Sequence, residues 1–405
     1  MSAGIAVLKF GGTSVATRER RDVAARRIAD ACDAGFATVA VVSAMGRPPD
    51  PYATDTLLNL IGHRIGTAQS DMVLAAGELI CAGVFADELN VAGIRAVALS
   101  GAQAGILTDD RFGDARILAV EPQPILDAID RGTVPVVAGY QGATASGVTT
   151  TLGRGGTDLS AIALGHALNA ERIDIYTDVS GAMTADPRRL SDARTIERAS
   201  LDEMTELAAH GAKVMHHKAA DFARRTGTRY AIKGVDTDRG TVVDENAFHE
   251  RPVTGVTCSG RLTWVRIIRG DIETPSRRMQ TELEMFVRLA DSGISIDQVS
   301  INQAGVAFVV DGDLGGELRR MLGDLNLAVR VREACSKLSV VGNGMRGTPG
   351  VVRDVVEALS RANVEIIHFT DSNVTISVLI PAADATIAES AIHKQFGLDE
   401  GEAAS

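Results

Sequence analysis

Over its first 245 residues the chain alternates short β-branched runs with longer amphipathic stretches, and this alternation limits the fold more than any other feature. Ile5-Ala6-Val7-Leu8 reads as a buried strand, Arg18 to Ala31 as an amphipathic helix, and Ala37 to Val42 as the next strand. Met72 to Glu88 reads as helix and Arg95 to Leu99 as strand. Pro124 to Ile129 reads as a helix with proline in its first turn, where the missing N–H costs nothing. Val134 to Ala138 (strand), Leu159 to Leu168 (helix), Ile173 to Tyr176 (strand) and Leu201 to His210 (helix) complete the series. Strand and helix in turn predict an α/β fold, a three-layer αβα sandwich with a mostly parallel sheet. Aromatic residues are only 4% of the chain, so Ala, Val, Ile and Leu fill the core, as doubly covered strands require. Ligands of such sheets bind at the carboxyl ends of strands. The loops after Leu8, Val42, Ala138 and Tyr176 are the places to search.

The pattern breaks near Asp244–Pro252, and beyond the break the chain carries a repeat of about 70 residues. Asp291-Ser-Gly-Ile-Ser-Ile-Asp-Gln-Val-Ser-Ile parallels Arg361-Ala-Asn-Val-Glu-Ile-Ile-His-Phe-Thr-Asp. Each comes after a helix and precedes a second strand, Gly305 to Val310 or Val374 to Ile380, which gives two βαββαβ units. The expected domains are residues 1–245, 262–331 and 335–400.

Net charge disfavours two classes of partner. At -11 the chain lacks the basic surface that nucleic acid or an anionic membrane would need. Cys32, Cys81, Cys258 and Cys335 are far apart and form no C-x-x-C pair, so neither a disulfide framework nor a zinc site is expected. The first apolar run is too short for a signal peptide, and the cytoplasm is the expected compartment.

An acidic protein that handles anions must concentrate positive charge locally. Lys9-Phe10-Gly11-Gly12-Thr13-Ser14 does this after the first strand: two glycines let backbone N–H groups approach a phosphate, and Lys9 adds a full charge. Gly153-Arg154-Gly155-Gly156-Thr157-Asp158 repeats the device before a second helix. There Arg154 can grip a carboxylate with two parallel bonds. Thr157 and Asp158 are expected to cap the helix, and Asp158 could also hold Lys9. Thr177-Asp178 through Asp186-Pro187-Arg188 comes after another strand, and Arg188 and Lys213 could reach a nucleotide's phosphates. No G-x-x-x-x-G-K-[ST] occurs, so this is not a P-loop enzyme. Gly342-Asn343-Gly344-Met345-Arg346-Gly347 matches a dinucleotide fingerprint but sits inside the repeat. His210, His216 and His217 lack metal-ligand spacing, so no metal site is assigned.

Taken in order, these motifs resemble the aspartokinase branch of the amino-acid kinase family, over nearly the whole chain. The carriers are Lys9 to Ser14, Val42-Ser43-Ala44-Met45-Gly46, Ala53-Thr54-Asp55, Gly77-Glu78, Gly153 to Asp158, Thr177 to Arg188 and Gly211-Ala-Lys-Val. The repeat resembles paired ACT domains of the monofunctional type. The resemblance implies ATP and Mg²⁺ as cofactors, L-aspartate as substrate and 4-phospho-L-aspartate as product. It assigns catalysis to Lys9 and Asp158, and the aspartate site to Ser43, Thr54, Glu78, Arg154 and Thr157. Gly11, Gly12, Thr177, Asp178, Met183, Arg188 and Lys213 would face ATP beside Lys9. It further implies a feedback inhibitor (lysine, threonine or diaminopimelate) at the ACT domains, and a homodimer or higher homo-oligomer through them. Another acidic acceptor in specialised metabolism is the alternative. Ser180, Met183, His217-Lys218, Lys233-Gly234 and Glu273-Thr274-Pro275-Ser276 depart from the usual pattern.

A carboxylate acceptor is already ionised at neutral pH, so no general base is needed. The difficulty is bringing two anions together. At about 4 Å and an effective dielectric of about 20, each pair of unit charges repels by roughly 4 kcal/mol. Lys9, Arg154 and Mg²⁺ would offset that repulsion.

Overall fold

The structure, a computed structural model, describes residues 3–62, 64–212, 214–247, 251–268, 274–325, 328–345 and 347–400. It divides into two compact units. One is Met1–Thr184 with Arg194–Glu250, and the other is Ala185–Ala193 with Arg251–Ser405.

In chain order the strands of the first unit are β1 (Ile5–Phe10), β2 (Ala37–Val42), β3 (Ala96–Leu99), β4 (Ile106–Thr108), β5 (Ile117–Val120), β6 (Val134–Ala138), β7 (Gln141–Ala143), β8 (Thr149–Thr151), β9 (Arg172–Thr177), β10 (Arg198–Ser200), β11 (Tyr230–Gly234) and β12 (Gly240–Asp244). Its helices are α1 (Arg18–Asp33), α2 (Thr54–Leu60), α3 (Ala68–Val91), α4 (Gln123–Asp130), α5 (Gly156–Ala167), α6 (Leu201–Ala209) and α7 (His217–Thr226). The main sheet runs β10-β12-β11-β9-β1-β2-β6-β3 and is parallel except where β11 meets β12. The first strand thus lies in the middle, with β2 on one side and β9 on the other. That is a topological switch point, where open α/β sheets leave a crevice beyond the strand ends.

Strand alternation decides what faces which helix. Leu8 and Phe10 join Ala24, Ile28, Phe85 and Ala86 in the core under α1 and α3. Lys9, between them in sequence, points to the opposite face, where α5 packs on β1 and β9. On the α1 side Tyr176 stacks on Phe10 with ring centroids 5.2 Å apart. A small second sheet, β5-β4-β7-β8, was not foreseen from sequence, because its strands are only three or four residues long.

Asp174 on β9 is 1% exposed and is held by Arg172 (2.6 Å) and by Lys233 on the adjacent strand (3.0 Å). This gives the unusual Lys233 a structural task. Removing both cations strands a buried carboxylate and should cost about 3–5 kcal/mol. Removing Lys233 alone should cost about 1–2 kcal/mol, since Arg172 remains. Urea midpoints of Lys233→Met and of Lys233→Met/Arg172→Met test this; equal midpoints for the two variants would exclude it.

The second unit holds β13 (Gly255–Ile268), α8 (Pro275–Asp291), β14 (Ile296–Asn302), β15 (Gly305–Asp311), α9 (Gly315–Leu322), β16 (Ala328–Val341), α10 (Val351–Arg361), β17 (His368–Asp371), β18 (Thr375–Pro381) and α11 (Ala385–Gln395). All its strands form one antiparallel sheet, β14-β15-β13-β16-β18-β17. Two βαββαβ repeats share it through the long strands β13 and β16. Leu262–Ile268 opens the first repeat, beside β15. The second repeat opens with Cys335–Val341 beside β18. Its closing strand does not come after α11; Gly255–Ser259, from upstream of both repeats, pairs with Lys337–Val341 in that place. A register shift after Ser259 and a left-handed Arg261 (φ 61°) separate the two halves of β13. Ala185 and Leu190, nine-tenths or more buried, join Val256, Leu338 and Val378 in this unit's core. Gly342 and Gly344 pack against Pro252, where a side chain would meet backbone atoms at 2.2–2.9 Å.

Candidate active site

The register of β1 explains why distant motifs meet. Lys9 pairs with Val41 on β2 and Ile175 on β9, and Phe10 pairs with Val42 and Tyr176. The loops that begin at Ser43 and at Thr177 therefore leave the sheet beside Gly11. Ser43 N–H donates to the Phe10 carbonyl (3.1 Å), and Gly11 N–H to that of Tyr176 (3.3 Å). A Cβ at Gly12 would sit 2.7 Å from the Ala44 carbonyl, so this glycine serves the close approach of two loops.

Lys9 is 8% exposed, and its Nζ lies 2.6 Å from Asp158 Oδ1. Both residues line a cavity of about 440 Å³. Ser43, Thr54, Glu78, Arg154 and Thr157 line the same cavity. The expected caps are corrected by the structure: α5 begins at Gly156 with Gly155 as its N-cap, so Thr157 and Asp158 lie inside the first turn. The positive end of the helix suits the Asp158 carboxylate there. Arg154 stands between two left-handed glycines, Gly153 (φ 72°) and Gly155 (φ 74°). That backbone leaves Arg154 exposed, with no ion pair to any described residue.

Opposite lies Glu78 on α3, 2% exposed. Its Oε1 accepts from Ala44 N–H (3.1 Å), while Oε2 is buried without a partner. Burial pushes the Glu78 carboxyl up to about 8, only partly offset by the Ala44 N–H. His216, the N-cap of α7, is held below its usual value by burial and by Lys218.

Thr177 and Asp178 line a second, smaller cavity of about 110 Å³, with Thr13, Ser14 and Ser180. Asp178 also pairs with Arg47 (3.0 Å). Met183 does not line this cavity; it forms a bridge with Thr195. Arg188 belongs to the second unit, where it pairs with Asp186 (2.7 Å). Lys213 and Glu273 lie outside the described residues.

Sequence reasoning missed Tyr140 and Gly113, which also line the larger cavity, as do the apolar Leu58, Ile65 and Leu74. Tyr140 adopts φ 67°, rare for a bulky residue, and no sequence signal marks such a conformation. Burial pushes its hydroxyl up to about 12. Gly113 arrives on the loop between β4 and β5, held by the buried Asp71, whose Oδ2 accepts from the N–H groups of Gly113 (3.0 Å) and Thr151 (2.6 Å).

A fixed cation, an unpaired arginine and a buried carboxylate with a free oxygen around one cavity can hold an amino acid against an incoming anion. Comparison with known proteins agrees with that class. The model of the amino acid kinase family matches residues 4–234, more than half of the chain, and an ACT domain model matches residues 338–396. The chain belongs to the amino acid kinase family.

Its full-length relatives narrow this to one branch. Aspartokinase 1 of Bacillus subtilis (strain 168) is 38% identical over 409 residues, covering 98% of this chain and 100% of that one. Escherichia coli aspartokinase III in complex with aspartate and ADP (R-state) superposes with a TM-score of 0.77 at 25% identity, covering 97% of this chain and 100% of that one. The same enzyme with lysine and aspartate (T-state) gives 0.75 at 27% identity, covering 97% and 99%. The chain is an aspartate kinase, a phosphotransferase with a carboxyl acceptor.

Proposed function

We propose that this enzyme transfers the γ-phosphoryl group of ATP to the β-carboxylate of L-aspartate, giving 4-phospho-L-aspartate. One observation carries the residue assignment: the Lys9–Asp158 pair shares its cavity with the half-satisfied Glu78 carboxylate and the unpaired Arg154. In this reading Glu78 takes the substrate ammonium and Arg154 a carboxylate, while Ser43, Thr54 and Thr157 supply neutral polar contacts. Lys9 neutralises the transferring group, and Asp158 keeps Lys9 aimed. Gly11, Gly12, Thr177 and Asp178 border the nucleotide; ADP in the E. coli relative supports ATP as donor. In this reading Mg²⁺ arrives on the nucleotide's own phosphates, as it does where one or two protein carboxylates at most complete its shell. Bound there, Mg²⁺ would neutralise phosphate charge. Trapping the acyl phosphate with hydroxylamine, across aspartate, glutamate and their derivatives, tests the assignment. Hydroxamate from another acid in preference to aspartate would favour the specialised-metabolism alternative.

The pathway proposed is the first step toward lysine or diaminopimelate, threonine and methionine, in the cytoplasm, where ATP and aspartate are held. Feedback through the ACT domains is proposed from the repeat and from lysine in the T-state E. coli relative. Binding there would shift an active–inactive equilibrium. Calorimetry with lysine, threonine, methionine and diaminopimelate decides; no heat from any would remove the regulatory role. Self-association is proposed from an exposed apolar stripe on α8, where Met279, Leu283 and Val287 are 71%, 63% and 47% exposed. A monomer by light scattering at working concentration would contradict it.

A further inference from the structure

Two chain segments rim the substrate cavity and touch each other at Gly153. One is the Gly153–Asp158 turn, which carries Arg154. The other is the loop between β4 and β5, which carries Gly113 and Asp114. A Cβ at Gly153 would lie 2.4 Å from Asp114 Oδ1, 3.1 Å from the Gly113 carbonyl and 3.2 Å from Lys218 Nζ. These three groups therefore converge on the residue that precedes Arg154.

Lys218 sits in the first turn of α7 and joins both segments. Its ammonium pairs with Asp114 and also lies 3.4 Å from the Leu152 carbonyl, just ahead of the turn. The N-cap of the same helix, His216, packs on Gly155, where a Cβ would meet its own Cβ at 2.1 Å. Asp71 ties the Gly113 loop to Thr151, at the end of β8 two residues ahead of the turn, by accepting from both N–H groups. Arg154 has no hydrogen-bond or ion-pair partner among the described residues, so the position of its backbone sets the point from which its side chain reaches.

We propose that Lys218 is a positioning residue for substrate recognition: by bridging Asp114 and the Leu152 carbonyl it fixes the turn that aims Arg154 at the substrate's carboxylate. This rests on the reading of the cavity as the aspartate site. Exposed ion pairs contribute little to stability, and here the two side chains are 36% and 56% exposed, so a purely structural role would leave little trace. A positioning role acts instead on binding, because small displacements of a clamp are costly.

The test uses the full chain and measures kcat, KM for aspartate, KM for ATP and Tm for Lys218→Met, Lys218→Arg, Asp114→Asn and the charge swap Lys218→Asp/Asp114→Lys. Lys218→Met and Asp114→Asn should each raise KM for aspartate about tenfold, leaving KM for ATP and Tm near wild type. Lys218→Arg and the charge swap should recover most of the loss, and added salt should raise the wild-type KM toward that of Lys218→Met. An unchanged KM for aspartate in both single variants would overturn the proposal. So would an equal rise in both KM values accompanied by a fall in Tm. If Lys218→Met does not fold, Asp114→Asn, on the exposed loop, carries the decision. A wild-type enzyme that ignores aspartate would instead sink the reading of the cavity, and the same variants would then be compared on the acid it accepts.

Discussion

Replacing Lys9 with alanine should lower turnover about 10³-fold while the protein stays folded. Two anions at about 4 Å repel by roughly 4 kcal/mol at an effective dielectric of about 20. One tenfold change in rate corresponds to about 1.4 kcal/mol, so losing one such compensating charge removes about three decades. Lys9 is well placed for this, since its ammonium is 2.6 Å from Asp158 and the pair lines the cavity. The fold should survive because Asp158 also borders that cavity, where water can solvate it once Lys9 is gone. Asp158→Asn should cost less, about tenfold to a hundredfold, because it loosens Lys9 without removing it. Single-turnover hydroxamate formation, with circular dichroism as the fold control, measures both. Turnover of Lys9→Ala within threefold of wild type would take Lys9 out of the chemistry.

Aspartate binding should expel a proton from Glu78. Burial raises this carboxyl from an ordinary 4.5 to about 8 in the free protein, so at pH 7 roughly nine in ten sites carry the proton. A substrate ammonium beside the free Oε2 favours the ionised form and reverses that shift. KM for aspartate should therefore fall as pH rises from about 6.5 to about 8 and then level off. Stability of the free protein runs the other way. Between about 4.5 and about 8 the folded state binds more protons than the unfolded one, so stability falls as pH rises through that window. Aspartate should accordingly raise Tm more at pH 8 than at pH 6.5. Glu78→Gln should raise KM for aspartate about a hundredfold, the cost of losing a buried ion pair's partner, and flatten its pH dependence. Calorimetry of the wild type in buffers of different ionisation enthalpy counts the protons directly. Zero release at pH 7 would show that Glu78 is already ionised or does not meet the ammonium.

Much of the site was legible because its parts are local. Lys9 with Gly11-Gly12, and Arg154 with Gly153, Gly155 and Gly156, each combine charge and backbone freedom within a few residues, so spacing alone marks them. Glu78 was less so: its neighbours on α3 carry little chemistry, and only the resemblance singled it out. Tyr140, Asp71 and the loop bearing Gly113 were invisible, since their roles depend on a left-handed φ or on partners 42 to 80 positions away. The thin sheet β5-β4-β7-β8 escaped for a related reason. Strands of three or four residues show too few alternations to stand out from loops.

By itself the sequence determined the alternation of strand and helix, the duplicated unit after residue 252, and two cations beside glycine-rich turns, Lys9 and Arg154. These are short-range properties, set by side-chain periodicity and by the backbone freedom of single residues. Only the tertiary structure decided that β1 lies between β2 and β9, which brings Lys9 to Asp158, and that Gly255–Ser259 closes the second repeat from upstream. It alone enclosed Glu78 so that a surface-type residue became a buried, half-satisfied acid. The reason is common to all three: hydrogen-bond register and desolvation are set by neighbours in space, and order along the chain does not specify which neighbours those are.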